Sequence, residues 1–190
     1  MLAAEFPAIG SMDVLDLGGR PPAWLSGPVR PASVHCVNLN QQDEDGLPPW
    51  IRCTVGDACD LPASALGRYD LVYSNSVLEH VGGHLMRQRF ADTVHKMAPA
   101  HWVQAPYRYF PVEPHYAFPG FQFLPATARA FLAMHWPLRC GSPAGRPEAL
   151  AEVLWVELPS RSEMRLYFPG SQIRAERLAG LPKSLIAVRH

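Results

Sequence analysis

Residues 69–105 read YDLVYSNSVLEHVGGHLMRQRFADTVHKMAPAHWVQA, and this stretch decides the architecture. It opens on a short apolar run, Tyr69 to Ser74, of the kind that forms a buried parallel strand. Next, Met86, Phe90, Val94 and Met97 recur at helical spacing, while Arg87, Arg89, Asp92 and Lys96 are polar. Gly83 to Met97 is therefore expected to be an amphipathic helix, stopped by Pro99. A second apolar run, Trp102 to Ala105, ends at Pro106. Strand, helix and strand in succession make a parallel unit whose helix covers one face of a sheet.

Working upstream, three more apolar runs end in turn residues. Asp13 to Leu17 stops at Gly18-Gly19, Ser33 to Val37 is followed by Asn38, and Ile51 to Val55 ends at Gly56-Asp57. After the first of these, Arg20-Pro21-Pro22-Ala23-Trp24-Leu25 can begin a helix, because proline is tolerated in a first turn, but Gly27-Pro28 must end it early. Downstream, Pro106 to Pro125 is rich in aromatics and proline without a steady period and reads as an ordered loop. Ala126 to His135 and Pro147 to Val156 are candidate helices, and Ser162 to Tyr167 leads into a turn at Phe168-Pro169-Gly170. Ile173 to Leu178 and Ser184 to Val188 read as a hairpin joined through Gly180-Leu181-Pro182-Lys183. The pattern predicts one α/β domain over residues 1–190, with an antiparallel edge on its sheet.

Composition narrows the function. The chain is 48% hydrophobic and 18% charged, and its 17 basic residues balance 17 acidic ones. It shows no basic stripe of the kind that neutralises phosphates, so a small-molecule partner is expected and nucleic acid is not. Cys36, Cys53, Cys59 and Cys140 make no CxxC pair, and the eight histidines make no HxH or HExxH pattern. No metal site is therefore expected. No segment approaches the roughly 20 apolar residues of a membrane span, and no basic leader opens the chain, so the expected location is the cytoplasm.

Polar or glycine signals stand at the carboxyl ends of three strands, where ligands sit in open α/β sheets. At Asp16-Leu17-Gly18-Gly19, glycines let a backbone approach a ligand closely. Asn38, followed by Leu39, can hydrogen-bond to hydroxyls or simply form a turn. Asp57 can accept from an exocyclic amine with Ala58 packed on a purine ring, or it can cap an Asx turn.

The ordered set VLDLGG, VNLN, GDACDLP and YDLVYSNSVLEHV resembles the cofactor motifs of class I S-adenosylmethionine-dependent methyltransferases of the broad type 11 group. VQAPYRYFPVEPH and LPKSLIAV are similar to one bacterial subgroup, and the likeness runs from about Val14 to the carboxyl terminus. The resemblance implies a Rossmann-like sheet in the order 3-2-1-4-5-7-6, with strand seven antiparallel and helices on both faces. It implies S-adenosylmethionine as methyl donor and S-adenosylhomocysteine as product. Asp16, Gly18 and Gly19 would line the methionine end, Asn38 and Leu39 the ribose, and Asp57 and Ala58 the adenine. Ser74 and Asn75 would lie against the methionine part.

The chain departs from the family at GGRPPAW, where another glycine is usual, and at Asn38, where an acidic residue is usual. Few residues precede Val14, so the amino-terminal lid of many relatives is short or missing, which leaves an acceptor pocket open or covered by a second copy in a homodimer. An oxygen or nitrogen acceptor can need its proton removed, and His80, His84, Glu113 and His115 are the candidates. Glu79 reads as a structural anchor, and Arg108 as an ion-pair partner or a clamp for an acceptor carboxylate. The aromatic loop around Tyr107, Tyr109, Phe110, Tyr116, Phe118 and Phe121 suits a planar or apolar acceptor, or packs the loop on the core. Two rivals are a non-catalytic methyltransferase-like scaffold and a nicotinamide-dependent oxidoreductase. GGRPPAW lacks the G-x-G-x-x-G pattern that the second requires.

Overall fold

The computed structural model describes residues 1–62, 69–139 and 143–190, so Cys140 lies outside the described residues. The apolar runs found in the sequence become β1 (Asp13–Leu17), β2 (Ser33–Asn38), β3 (Ile51–Val55), β4 (Leu71–Asn75) and β5 (Ala100–Pro106), and they pair in parallel. The carboxyl-terminal hairpin supplies β8 (Gln172–Leu178) and β9 (Leu181–Arg189), and β9 joins β5 antiparallel. The sheet runs β3-β2-β1-β4-β5-β9-β8. With β9 counted as strand seven and β8 as strand six, this is the expected 3-2-1-4-5-7-6 order.

Alternation along the strands sorts side chains onto two faces. Leu15, Leu17, Val72, Val103, Leu185 and Ala187 meet Phe90, Val94 and Met97 of α3 (His84–Met97) and Met164 and Tyr167 of α6 (Arg161–Tyr167). Val14, Val34, Leu71, Trp102 and Ile186 face the other way, against Phe6, Ile9 and Trp24. That second face is covered by the short helices α1 (Leu2–Glu5) and α2 (Pro21–Leu25) and by a 3-10 turn at Ile9–Ser11. α2 starts on Pro21-Pro22 and ends at Leu25, just before Gly27-Pro28, and a Cβ at Gly27 would come within 2.7 Å of the Ala23 carbonyl. Ser160 and Glu163 close a reciprocal capping box at the start of α6.

Three features differ from the sequence reading. The hairpin turn is Ala179-Gly180, both at positive φ, so Leu181 to Lys183 belong to β9 rather than to the connection. A two-residue turn of this hand matches the strand twist and lengthens the ladder. The proline-rich stretch contains a short antiparallel pair, β6 (Val112–Glu113) with β7 (Phe118–Pro119), and a 3-10 turn at Phe121–Phe123. Its rings form a separate small core, in which Tyr116 and Phe121 pack with Ala130 and Ala133 of α4 (Ala126–His135) and Ala149 and Val153 of α5 (Arg146–Trp155).

His101 of β5 is fully buried, and its Nε2 meets Ser171 Oγ at 2.8 Å. Burial, helped by His95 and Arg189, holds its pKa down at about 3, against an ordinary 6.5. Below pH 6.5 the unfolded chain therefore binds a proton that the folded chain refuses, and stability falls with pH at about 1.4 kcal/mol per unit for this group. Urea unfolding of wild type and His101→Gln at neutral pH and one unit below 6.5 should show a smaller acid loss in the variant. Equal losses would mean that His101 does not set the acid limb.

Candidate active site

The sheet order reverses beside β1, which has β2 on one side and β4 on the other. A crevice opens there, beyond the carboxyl ends of the strands. The chain leaves β1 at Gly18, which has φ +77° and hydrogen-bonds to the Val37 carbonyl at 2.7 Å. A Cβ at Gly18 would meet Val77 at 2.4 Å, and one at Gly19 would meet the Asp16 carboxylate at 1.7 Å. Both glycines are thus required by close approach, and Gly18 by its left-handed backbone as well.

Asp16 is buried, and its Oδ2 accepts from the Trp24 indole at 2.6 Å. Its Oδ1 has no hydrogen-bond partner among the described residues. Burial pushes the carboxyl up to about 7, while the indole hydrogen bond works against that rise.

A cavity of about 330 Å³ follows, lined by Gly18, Asn38, Leu39, Asp57, Ala58 and, across from them, Val77 and Met86. Asn38 Nδ2 donates to the carbonyls of Gly18 and Gly19, at 3.2 and 3.4 Å, so this side chain pins the glycine turn. Asp57 Oδ1 accepts from the Cys59 amide at 2.8 Å, which is the Asx turn weighed from the sequence, and the residue still lines the cavity. Leu39 is well exposed at the rim. Ser74 and Asn75 stand elsewhere. The Ser74 hydroxyl is buried and donates to the Leu17 carbonyl at 2.9 Å. Asn75 lines a neighbouring cavity of about 400 Å³ with Gln104, Phe110, Glu176 and Lys183. Ser76, at φ +58°, borders both cavities.

At the other rim, His80 and Trp155 are shared with a more open cavity of about 460 Å³, whose remaining lining includes His115, Tyr116, Glu148 and Glu152. His80 ends the 3-10 turn Leu78–His80, and the β6–β7 loop brings His115 to it, with the two Nε2 atoms 3.1 Å apart. Behind His115, Glu113 Oε1 accepts from Nδ1 at 2.6 Å, and Glu113 Oε2 accepts from the Tyr116 amide at 3.0 Å. The Glu113 carboxylate outweighs burial and raises the His115 pKa, whereas burial and His115 lower that of His80.

The sequence reading thus selected His80, Glu113 and His115 separately, and the structure joins them in one chain of contacts. His84 falls outside it, paired with the Tyr167 hydroxyl at 2.9 Å. Arg108 bonds the Leu158 carbonyl and Glu163 and so serves as an ion-pair partner. Trp155, Glu152 and Val77 were missed, since each lies in an ordinary helical or apolar pattern. Trp24 was noted only as part of the short helix start, with no signal of its hydrogen bond to Asp16.

Although no sequence pattern points to a metal, Glu79, His80 and His115 hold possible ligand atoms within 4.8 Å of one another. Spacing rules miss this set because the third residue arrives through tertiary structure. Glu79 is completely buried, neither of its oxygens has a hydrogen-bond partner among the described residues, and burial pushes its carboxyl up to about 7.

The fold has known counterparts. An S-adenosylmethionine-dependent methyltransferase from Mesorhizobium loti aligns with a TM-score of 0.62 at 16% identity, over 100% of this chain and 95% of that one. Magnesium protoporphyrin IX methyltransferase from Synechocystis PCC 6803, solved with S-adenosylhomocysteine, gives 0.55 at 12% identity, over 100% and 79%. A Rhodobacter sphaeroides protein provisionally assigned as a Zn-dependent alcohol dehydrogenase gives 0.61 at 11%, over 97% and 86%. At these identities the likeness is one of fold, and the fold is the Rossmann-like one of class I methyltransferases. No family model matches the chain, and no curated protein matches it in sequence. Among the described residues, no helix is long and apolar enough to cross a membrane.

The Asp16–Gly19 contact makes a direct prediction. Gly19→Ala must displace the carboxylate from the Trp24 indole, leaving buried polar groups unpaired at a cost of about 1–3 kcal/mol. The urea midpoint should fall accordingly, and an unchanged midpoint would show that the turn relaxes freely.

Proposed function

We propose that the protein is an S-adenosylmethionine-dependent methyltransferase acting on an oxygen or nitrogen atom of a small molecule. The observation that carries this reading is the cavity bounded by Gly18, Asn38, Asp57 and Ala58 at the switch point of the sheet. The donor's shape and charge suit the residues present. The glycine turn leaves no room for side chains beside the cavity, and behind it Asp16 keeps one acceptor oxygen, Oδ1, without a donor among the described residues. Leu39, Ala58, Val77 and Met86 supply apolar surface for a purine. Asn38 and Asp57 supply polar contacts without a bound charge from Asn38.

When bound, S-adenosylmethionine supplies a methyl group on a sulfonium, whose thioether leaves without needing a proton. The protein's part is to hold the acceptor in line and to manage its proton. His80 stands where the cofactor cavity meets the larger one, with Trp155 beside it as an apolar wall. Glu113 fixes His115 with its proton on Nδ1, and His115 in turn orients its Nε2 toward His80. We assign the acceptor to this larger cavity, with His80 as the acceptor-facing residue and His115 and Glu113 positioning it. Tyr116, Phe118 and Phe121 pack with α4 and α5, and the aromatic rings that line the larger cavity are those of Tyr116 and Trp155.

Calorimetric titration with S-adenosylhomocysteine, on wild type and on Asp57→Ala, tests the reading. Micromolar binding that weakens at least about tenfold in the variant, a change of about 1.4 kcal/mol, is expected. Absence of binding to wild type would favour the non-catalytic scaffold.

A further inference from the structure

We infer that Glu79, His80 and His115 form a binding site for a divalent first-row transition ion such as zinc, at the junction of the cofactor cavity and the larger cavity beside it. Three independent features of the site point to an ion. The first is the donor set itself, two imidazoles and a carboxylate with ligand atoms within 4.8 Å of one another. Borderline ions of the zinc type favour such mixed nitrogen and oxygen ligation.

The second feature is Glu79. It is completely buried and neither oxygen has a hydrogen-bond donor among the described residues, yet Oε1 lies 3.9 Å from His80 Nε2. A buried carboxylate with no donor is costly, and a bound cation removes that cost directly.

The third is the arrangement behind His115. Its Nδ1–H donates to Glu113 Oε1 at 2.6 Å, which leaves the Nε2 lone pair pointing away from the carboxylate and toward His80 Nε2, 3.1 Å off. Glu113 is itself fixed by the Tyr116 amide at 3.0 Å. A carboxylate holding the far nitrogen of a ligating imidazole is the usual support behind a metal-bound histidine. Ligands about 2.0–2.1 Å from a tetrahedral ion stand about 3.3 Å apart, so the 3.1 Å His80–His115 separation already fits, and Glu79 needs a side-chain shift of up to about 1.5 Å to join them.

Three protein ligands leave further positions open, as at sites that take a substrate. His80 and His115 are partly exposed and both line the larger cavity, so the open positions face it. An acceptor carrying a hydroxyl or a pair of adjacent oxygens would complete the coordination there. What the ion would do for the acceptor rests on the methyltransferase reading, but its binding does not.

The test uses the full chain stripped with a chelator and then titrated with Co²⁺, read by visible absorption, and with Zn²⁺, read by calorimetry. One ion per chain with micromolar or tighter affinity is expected, together with the d–d bands of a low-coordinate nitrogen and oxygen site. His115→Ala should lower the affinity at least tenfold, and Glu113→Gln by about 10–100-fold through its loss of grip on His115. His84→Ala, a neighbouring histidine outside the set, should leave binding unchanged. Thermal unfolding of each metal-free variant checks that it is folded, and Glu113→Gln, which keeps the shape, stands in if His115→Ala is not. No ion bound by wild type, or binding that survives both substitutions, would overturn the proposal. Titrating the same metal-free protein with S-adenosylhomocysteine separates the two readings, because failure there with metal binding retained counts against the methyltransferase alone.

Discussion

The contact between Asp16 and Gly19 is the constraint on which the site depends. The carboxylate occupies the place where any Cβ at residue 19 would lie, and it holds the Trp24 indole at 2.6 Å. One hydrogen bond thus ties the end of β1 to the short helix that follows. Asn38 ties the same turn to the end of β2 through the carbonyls of Gly18 and Gly19. The glycine-turn wall of the crevice at the sheet's switch point is therefore fixed by hydrogen bonds, while the exposed Leu39 and Trp155 form its rim. Rigid walls of this kind lower the cost of ordering a ligand.

The chain reaches this arrangement with a shortened helix after β1. Pro21 and Pro22 fix the first turn of α2, and the helix ends at Leu25 ahead of Gly27-Pro28. The glycine missing from the resemblance is not replaced by another tight turn. Instead, the Trp24 indole of α2 reaches back and donates to Asp16. The cost is visible in Asp16, whose carboxyl rises to about 7 because burial outweighs that single donor.

A second unit builds the other wall. The β6–β7 loop carries Glu113 and His115, and its rings pack on α4 and α5 rather than on the main sheet. α5 in turn brings Trp155 to the rim shared by the two cavities. The wall of the larger cavity is thus assembled by a small core of its own, separate from the two that pack on the main sheet.

The sequence by itself determined the strand set, the main helix and the closing hairpin, because burial on a sheet or helix imposes periods of two or 3.6 that survive in a linear string. It also marked Gly18, Asn38, Asp57 and Ala58 at strand ends, and these four line the crevice. Only the tertiary structure decided what the buried polar groups do. Ser74 spends its hydroxyl on the Leu17 carbonyl, His84 turns to Tyr167, and Asp16 turns to Trp24, all choices among partners that spacing cannot rank. The meeting of Glu79 and His80 with His115 is of the same kind. His115 comes from 35 residues beyond His80, and no local rule registers a contact made by folding a loop back across the ends of the sheet.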